Sequence, residues 1–422
     1  VEQVLGLKCT ICGSVYSPRE VAYVCPKHGV DGTLDVQYDY DWVAARLEDA
    51  QWADLRSMWR YMALLPVKPE PARGLFTGNV LSSVGWTPLY SAERLARPLG
   101  LRHVWIKDDG RQPTASLKDR ASAMAIAKAR EGGYTTITTA STGNAAAALA
   151  GLCAAVAQPC AIFCPCTAPE AKITQLLVYG ARVLLVEGTY DQAFELCLAA
   201  APEFGWYNRN TGYNPYMGEG KKTVALEICE QLGGERSWHA PDVVLVPVGD
   251  GCIIGGVHKG LSDLLALGLI DHMPRLIGVQ AAGAAPLVDA WERGVDALDM
   301  APVPVDTVAD SIAAGLPRDR IKAMRAVRES SGAFLSVTDG EILDAIPTLA
   351  QASGVFAEPA AAAAYAGLVR AVDKGIIDRE DQVVVLVTGS GLKDVPAAKR
   401  AISEPPVIRP RLEDVRQALR AD

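Results

Sequence analysis

Asp242-Val-Val-Leu-Val-Pro-Val-Gly249-Asp250-Gly251-Cys252-Ile253-Ile254-Gly255-Gly256 passes from one structural grammar to another within a single short stretch. Asp242–Val248 is short, valine-rich and apolar on both faces, which is what a strand inside a parallel sheet requires. Gly255–Ile270 has the length and pattern of a helix. Between them Gly249 and Gly251 let backbone N–H groups come close to an anion, and the helix that follows Cys252 and Ile253 points its positive end at the same place. A phosphate group suits such a cradle. A tight strand-to-helix turn with no ligand is the bland alternative. Asp250 would repel a phosphate, so its carboxylate must point away or be hydrogen-bonded elsewhere.

The same alternation extends outward from this stretch. Strands are expected at His103–Lys107, Thr135–Ala140, Cys160–Pro165, Arg182–Glu187, Arg275–Gln280 and Gln382–Thr388. Helices are expected at Lys118–Arg130, Asn144–Ala157, Pro169–Gly180, Asp191–Ala200, Gly220–Leu232 and Ala360–Lys374. The fold class is therefore α/β, with right-handed crossovers and parallel-type sheets flanked by helices. The 422 residues exceed one ordinary core and call for two or three domains. Ser141-Thr142-Gly143-Asn144 and Thr388-Gly389-Ser390-Gly391 also lie just past strand ends, where open α/β sheets bind ligands.

Two further segments carry chemistry. In Lys107-Asp-Asp-Gly-Arg-Gln-Pro113-Thr-Ala-Ser-Leu-Lys118-Asp119-Arg120 a lysine opens a helix, where a cation is unfavourable. The same field lowers its pKa and makes it a better nucleophile or base. A solvated lysine beside a first-turn acid, Asp119, is the alternative. The Thr388 hydroxyl at a strand end can meet a buried heteroatom, although helix capping is the commoner use of such a residue.

Taken in order, a helix-opening lysine, an Asn-bearing loop, a glycine cradle and a late hydroxyl resemble the pyridoxal-phosphate enzymes of tryptophan-synthase-β fold, called fold type II. Within that group the resemblance is to the threonine synthase family. It rests on Trp86-Thr-Pro-Leu89, Pro113–Arg120, Ala140–Asn144, Glu219-Gly-Lys-Lys-Thr223, Glu358-Pro-Ala360 and Thr388–Asp394, and it covers roughly residues 59 to 400. It implies that Lys118 forms the Schiff base with pyridoxal 5'-phosphate and later moves protons. It gives Asn144 to the ring hydroxyl, Gly249, Asp250, Gly251, Cys252 and Ile253 to the cofactor phosphate, and Thr388 to the pyridine nitrogen. Ser141, Thr142 and Asn144 would take the substrate carboxylate, and Lys222 a substrate phosphate. A hydroxyl at the ring nitrogen weakens the ring as an electron sink and suits elimination and replacement chemistry. The implied reaction is O-phospho-L-homoserine plus water to L-threonine plus phosphate, in a homodimer.

Three departures bear on the substrate. Ala115-Ser116-Leu117 stands where the family has Gly-Ser-Phe, and Ser390 where threonine synthases commonly have His. Thr167–Ile173 looks more like a serine/threonine dehydratase, which keeps a dehydratase or a β-replacing lyase on a serine- or phosphoserine-like substrate as the alternative. A cofactor-binding paralogue without catalysis is a further alternative, against which Lys118 argues. The expected division is a zinc-ribbon-like knuckle and helical linker over 1–75, a large cofactor domain from 76–125 and 235–405, a small mobile domain over 126–234, and a tail over 406–422.

The N-terminal stretch reads differently from the rest. Cys9, Cys12, Cys25 and His28 have the spacing Cys-x2-Cys-x12-Cys-x2-His. That suits a closed structural zinc site, with a metal-free remnant as the alternative. Trp42, Trp52, Trp59 and Trp86 are expected to pack this segment onto the core or into a subunit contact. Ten cysteines in a chain with no evident export signal favour a reducing cytoplasm over a disulfide scaffold. Lys+Arg 41 against Asp+Glu 49 argues against a nucleic-acid partner. The longest apolar run, Ala145–Ala157, is too short to span a bilayer.

Overall fold

The structure is a computed structural model and describes residues 1–47, 54–68, 77–234 and 237–419. Trp52 and the domain boundaries expected at 75/76 and 234/235 involve residues outside these. The chain opens with β1 (Val4–Cys9), β2 (Val15–Tyr16) and β3 (Leu34–Tyr38), a three-stranded antiparallel sheet in the order β2-β1-β3, followed by α1 (Tyr40–Ala44). Asp39 caps that helix by accepting from the Trp42 N–H. Trp59 is fully buried, and its indole N–H donates to the Leu81 carbonyl at 2.8 Å.

Next come β4 (Leu89–Ser91), α2 (Glu93–Ala96), β5 (His103–Asp108) and α3 (Lys118–Glu131). They are followed by β6 (Ile137–Ala140), α4 (Asn144–Ala155), β7 (Cys160–Pro165), α5 (Glu170–Val178), β8 (Arg182–Val186), α6 (Tyr190–Glu203), β9 (Tyr207–Asn208) and α7 (Tyr216–Gly233). Then β10 (Val243–Pro247), α8 (Cys252–Ala266), β11 (Arg275–Ala281), α9 (Pro286–Arg293), α10 (Arg320–Glu329), β12 (Ala333–Val337), α11 (Asp339–Ser353), α12 (Pro359–Asp373) and β13 (Gln382–Val387) complete the main body.

The strands form two separate sheets. One has six strands in the order β12-β11-β10-β13-β5-β4; the other has four, β8-β7-β6-β9. All pairings are parallel except β4 with β5. The buried Val/Ile/Leu runs behave as the sequence suggests, and every residue of β10 is buried. Arg182–Val186 differs: it is an edge strand whose residues are half-buried or exposed. Strands β4, β9 and β12 and helices α9, α10 and α11 are not anticipated from the sequence. The strands are only two to five residues long, and α10 mixes Arg and Lys with its apolar residues.

Helices α3 and α7 carry the chain between the two sheets, and α7 also packs against α8, which connects β10 to β11. A Cβ at Gly260 would lie 2.5 Å from the Lys222 carbonyl oxygen, and one at Gly256 2.9 Å from the Lys221 Cβ. On the other side of α7, a Cβ at Gly220 would collide with the Arg120 carbonyl. Glycine is required at each point for the helix backbones to meet.

Candidate active site

A cavity of about 950 Å³ opens between the two sheets, lined among others by Lys118, Ser141, Asn144, Gly249 and Cys252. Lys118 is the first residue of α3, delivered by a loop locked on both sides. Ser116 bridges Gly389, the Ser390 N–H donates to the Ala115 carbonyl at 3.1 Å, and the Leu117 N–H to the Thr388 carbonyl at 2.9 Å. Asp119, fully buried, accepts from the Thr114 N–H at 2.6 Å and from the Thr114 hydroxyl. Burial pushes the Asp119 carboxyl up to about 7. Asp119 is thus a clasp of the loop, not a solvated first-turn acid. The Lys118 amine makes no hydrogen bond or ion pair among the described residues. Burial and the charges of Lys221 and Arg209 draw its amine down to about 8, against the opposing pull of Glu358.

Ser141 and Thr142 line the cavity at the end of β6, and Asn144 starts α4. The Asn144 amide donates to both oxygens of Glu358, at 2.8 and 3.0 Å. Glu358 itself is buried, which raises its carboxyl pKa. It also lies against Gly389, where a Cβ would come within 2.6 Å of its carboxyl carbon. Glu358 is therefore a site residue that the sequence placed in a motif without a role. Thr388 is buried beside the loop that carries Lys118.

Gly249, Asp250, Gly251, Cys252 and Ile253 all line the cavity, and α8 points its N-terminus there. The glycines answer to their neighbours as well. Gly251 has φ +87, and a Cβ there would meet the Ala323 Cβ at 2.8 Å; one at Gly249 would meet the Ile312 Cα at 2.8 Å. Gly251 is thus required by α10 behind the loop, whereas Gly249 is required by Ile312, which itself lines the cavity. The Asp250 carboxylate is turned toward the Arg318 N–H, at 3.4 Å.

Lys222 is not brought to the cavity. It is fully buried, bonded to Asp263 at 2.7 Å and Glu219 at 2.6 Å, and its ammonium sits 4.0 Å from the centre of the Tyr38 ring. The expected substrate contact is thereby corrected: in Lys221-Lys222 it is Lys221 that lines the cavity. On a helix adjacent residues point about 100° apart, so a motif match cannot choose between them. Arg120, from the lysine motif, is structural too. It bonds Asp109 at 2.7 and 2.9 Å and Glu227 at 2.5 and 2.8 Å, and Lys107 donates to Glu227 at 2.7 Å, all fully buried. Burial would raise the Glu227 carboxyl, yet Arg120 and Lys107 hold it at about 2.

At the N-terminus, the ligating atoms of Cys9, Cys12, Cys25 and His28 all lie within 4.8 Å of one another. Cys12 and Cys25 sulfurs are 4.0 Å apart, and the His28 Nδ1 is 3.8 Å from Cys9 and 3.5 Å from Cys25. A tetrahedron built on Zn–S bonds of about 2.3 Å has edges of roughly 3.8 Å, so the donor set fits zinc.

The model of the pyridoxal-phosphate dependent enzyme family matches residues 80–389, and the chain belongs to that family. Within it the chain is similar over nearly its whole length to threonine synthases. It is 39% identical over 414 residues, 98% of each chain, to the one from Methanosarcina acetivorans. It is 37% identical over 401 residues, 94% of this chain and 95% of the other, to the one from Methanocaldococcus jannaschii. Among solved structures, threonine deaminase isoform 2 from Solanum lycopersicum superposes with a TM-score of 0.63 at 23% identity, over 82% of this chain and 92% of its own. Maize serine racemase gives 0.60 at 22%, over 72% and 88%. These two share the fold-type-II architecture. The cofactor is pyridoxal phosphate, and the site suits it: an unpaired, half-buried amine, a helix N-terminus and a roomy cavity converge.

Proposed function

We propose that this chain is a threonine synthase, converting O-phospho-L-homoserine and water to L-threonine and phosphate. The observation that carries the reading is the Lys118 amine, unpaired and lowered to about 8, in a cavity shared with Asn144 and the N-terminus of α8. Similarity to threonine synthases across the chain supports the reaction class. When bound, pyridoxal phosphate supplies an electron-withdrawing ring that acidifies C–H bonds of an attached amino acid. Lys118 would hold the cofactor covalently at rest and, once the substrate's amino group has displaced it, would move protons at the substrate's Cα and Cβ. The N–H groups of Gly249–Ile253 hold the cofactor phosphate, Asn144 its ring hydroxyl, and Thr388 its ring nitrogen. Ser141 and Thr142 hold the substrate carboxylate. Phosphate would leave from Cγ, which takes up a proton in exchange for the one lost at Cβ; the hydroxyl of water would add at Cβ and a proton would return to Cα.

In the same reading the six-stranded sheet serves as the cofactor domain and the four-stranded sheet as the small domain. Zinc is structural, held by Cys9, Cys12, Cys25 and His28 with no position left open. The seven cysteines outside the zinc set, none in a disulfide, support a reducing cytoplasm, and no helix among the described residues is long and apolar enough to cross a membrane. Exposed apolar side chains in the tail, Val407, Ile408, Leu412 and Leu419, support a homodimer. Product analysis with O-phosphohomoserine, threonine and serine side by side tests the reading. Threonine and phosphate are expected; ammonia and a keto acid as the main products would make it a dehydratase.

A further inference from the structure

Of the cations that line the cavity besides Lys118, Arg318 and Arg320 are paired with Asp191 and Asp31, whereas Arg209 and Lys221 are left without an acidic partner among the described residues and without a task. Arg209 follows β9 and is 1% exposed; Lys221, on α7, is 0% exposed. Both line the cavity. Neither has a carboxylate partner among the described residues. The Arg209 Nε donates to the Ser122 hydroxyl at 3.2 Å, which fixes the guanidinium against α3 one turn beyond Lys118. Its Nη1 donates to the Thr211 hydroxyl at 3.1 Å, and the Lys221 ammonium approaches the same oxygen at 3.4 Å. The Arg209 Nη2 is buried with no partner. Asp250 and Asp319, whose charges reach Lys221, form no ion pair with either cation.

Two like charges sharing one neutral hydroxyl in a desolvated place are a cost to the fold. Buried charges are normally paired, and the exceptions call for an explanation. Burial lowers the Arg209 guanidinium to about 10 and lowers Lys221 as well, which records that cost. A dianion placed between them would remove it. The planar fork of an arginine with a free Nη2 suits a phosphate, and a lysine beside it supplies a second point charge.

We propose that Arg209, Lys221 and the Thr211 hydroxyl form a phosphate-monoester site in the cavity, and that its guest is the substrate's phosphate. This rests on the threonine synthase reading. The cofactor's phosphate is a second source of the same chemistry, but the N-terminus of α8 already provides for it. The role is one of binding and specificity, and it is the role the sequence had given to Lys222.

The test uses holoenzyme in phosphate-free buffer, with inorganic phosphate as the probe, for wild type, Arg209→Gln, Lys221→Gln and Arg209→Lys. Calorimetry should show phosphate binding weakened roughly ten- to hundredfold in the two Gln variants and partly restored by Arg209→Lys. Cofactor affinity should stay within about threefold, since no cofactor contact is lost. The melting temperature of the Gln variants should be unchanged or higher, because an unpaired buried charge has gone; a marked fall would make Arg209 a structural residue and overturn the proposal. A loss of cofactor affinity with phosphate binding intact would give the site to the cofactor and overturn the substrate assignment. Unchanged phosphate binding in both Gln variants would overturn the site altogether. Wild-type turnover of O-phosphohomoserine, measured in parallel, separates these failures from failure of the threonine synthase reading.

Discussion

At Lys118 the amine is lowered from the usual lysine value of 10.5 to about 8 by burial and by neighbouring cations. Only the neutral amine attacks an aldehyde, so at pH 7.5 roughly a quarter of the chains are competent, against about a thousandth for an ordinary lysine. The sign follows: with the cofactor removed, the rate at which pyridoxal phosphate is recaptured should climb as pH rises through about 8 and level off above 9. A climb continuing to pH 10.5 would show an unperturbed lysine. Lys118→Ala should abolish capture. Lys222 makes the opposite case at the same scale. Its motif position points to substrate, yet its ammonium is spent on Asp263, Glu219 and the Tyr38 ring. Lys222→Met should therefore lower stability by about 1.5–3 kcal/mol in denaturant unfolding, since buried Glu219 loses its cation and keeps only the Tyr38 hydroxyl among the described residues, while Asp263 retains Lys259 and Tyr40. It should reduce turnover of every substrate alike; a loss confined to O-phosphohomoserine would restore its place in the site.

The helices set where these residues can act. The first turns of α3 and α8 face one cavity only because α7 lies against both, through Gly220 on one side and Gly256 and Gly260 on the other. Gly260→Leu would drive a side chain into the Lys222 carbonyl, 2.5 Å from the Cβ position. Backbone cannot yield as a side chain does, so a loss of at least about 1–3 kcal/mol is expected, seen as a lower melting temperature. Weaker cofactor binding should accompany it, because α8 carries the cradle. Retained cofactor affinity would mean that α8 can shift without its first turn following. The sequence showed that these were helices. It did not show that the glycines mark contacts between helices far apart in the chain.

Across the molecule, the N-terminal unit is tied into the body and is not an appendage. Asp31 pairs with Arg320 at 2.6 Å, and Asp35 with Lys322 at 3.1 Å and Arg325 at 2.6 Å. Val30 and Asp31, two and three residues beyond His28, are among the residues that line the cavity. Freshly purified protein should contain about one zinc per chain by elemental analysis, and Cys9→Ser should lose it and expose residues 1 to about 40 to protease. The cofactor absorption should persist, while KM for substrate rises as the rim loosens. An unchanged KM would leave the knuckle a role in folding alone. The sequence by itself determined the α/β class, the strand-loop-helix cradle at 242–256, the lysine that opens α3 and the metal-binding spacing at Cys9–His28. Those features are local: apolar periodicity, glycine and ligand spacing are written within a few residues of one another. Only the tertiary structure decided that Lys221 and not Lys222 faces the cavity, that Arg120 is spent on a buried network, and that Glu358, Arg209 and Asp31 border the site. Side-chain direction and charge pairing depend on which distant backbones touch, and no spacing along the chain encodes that.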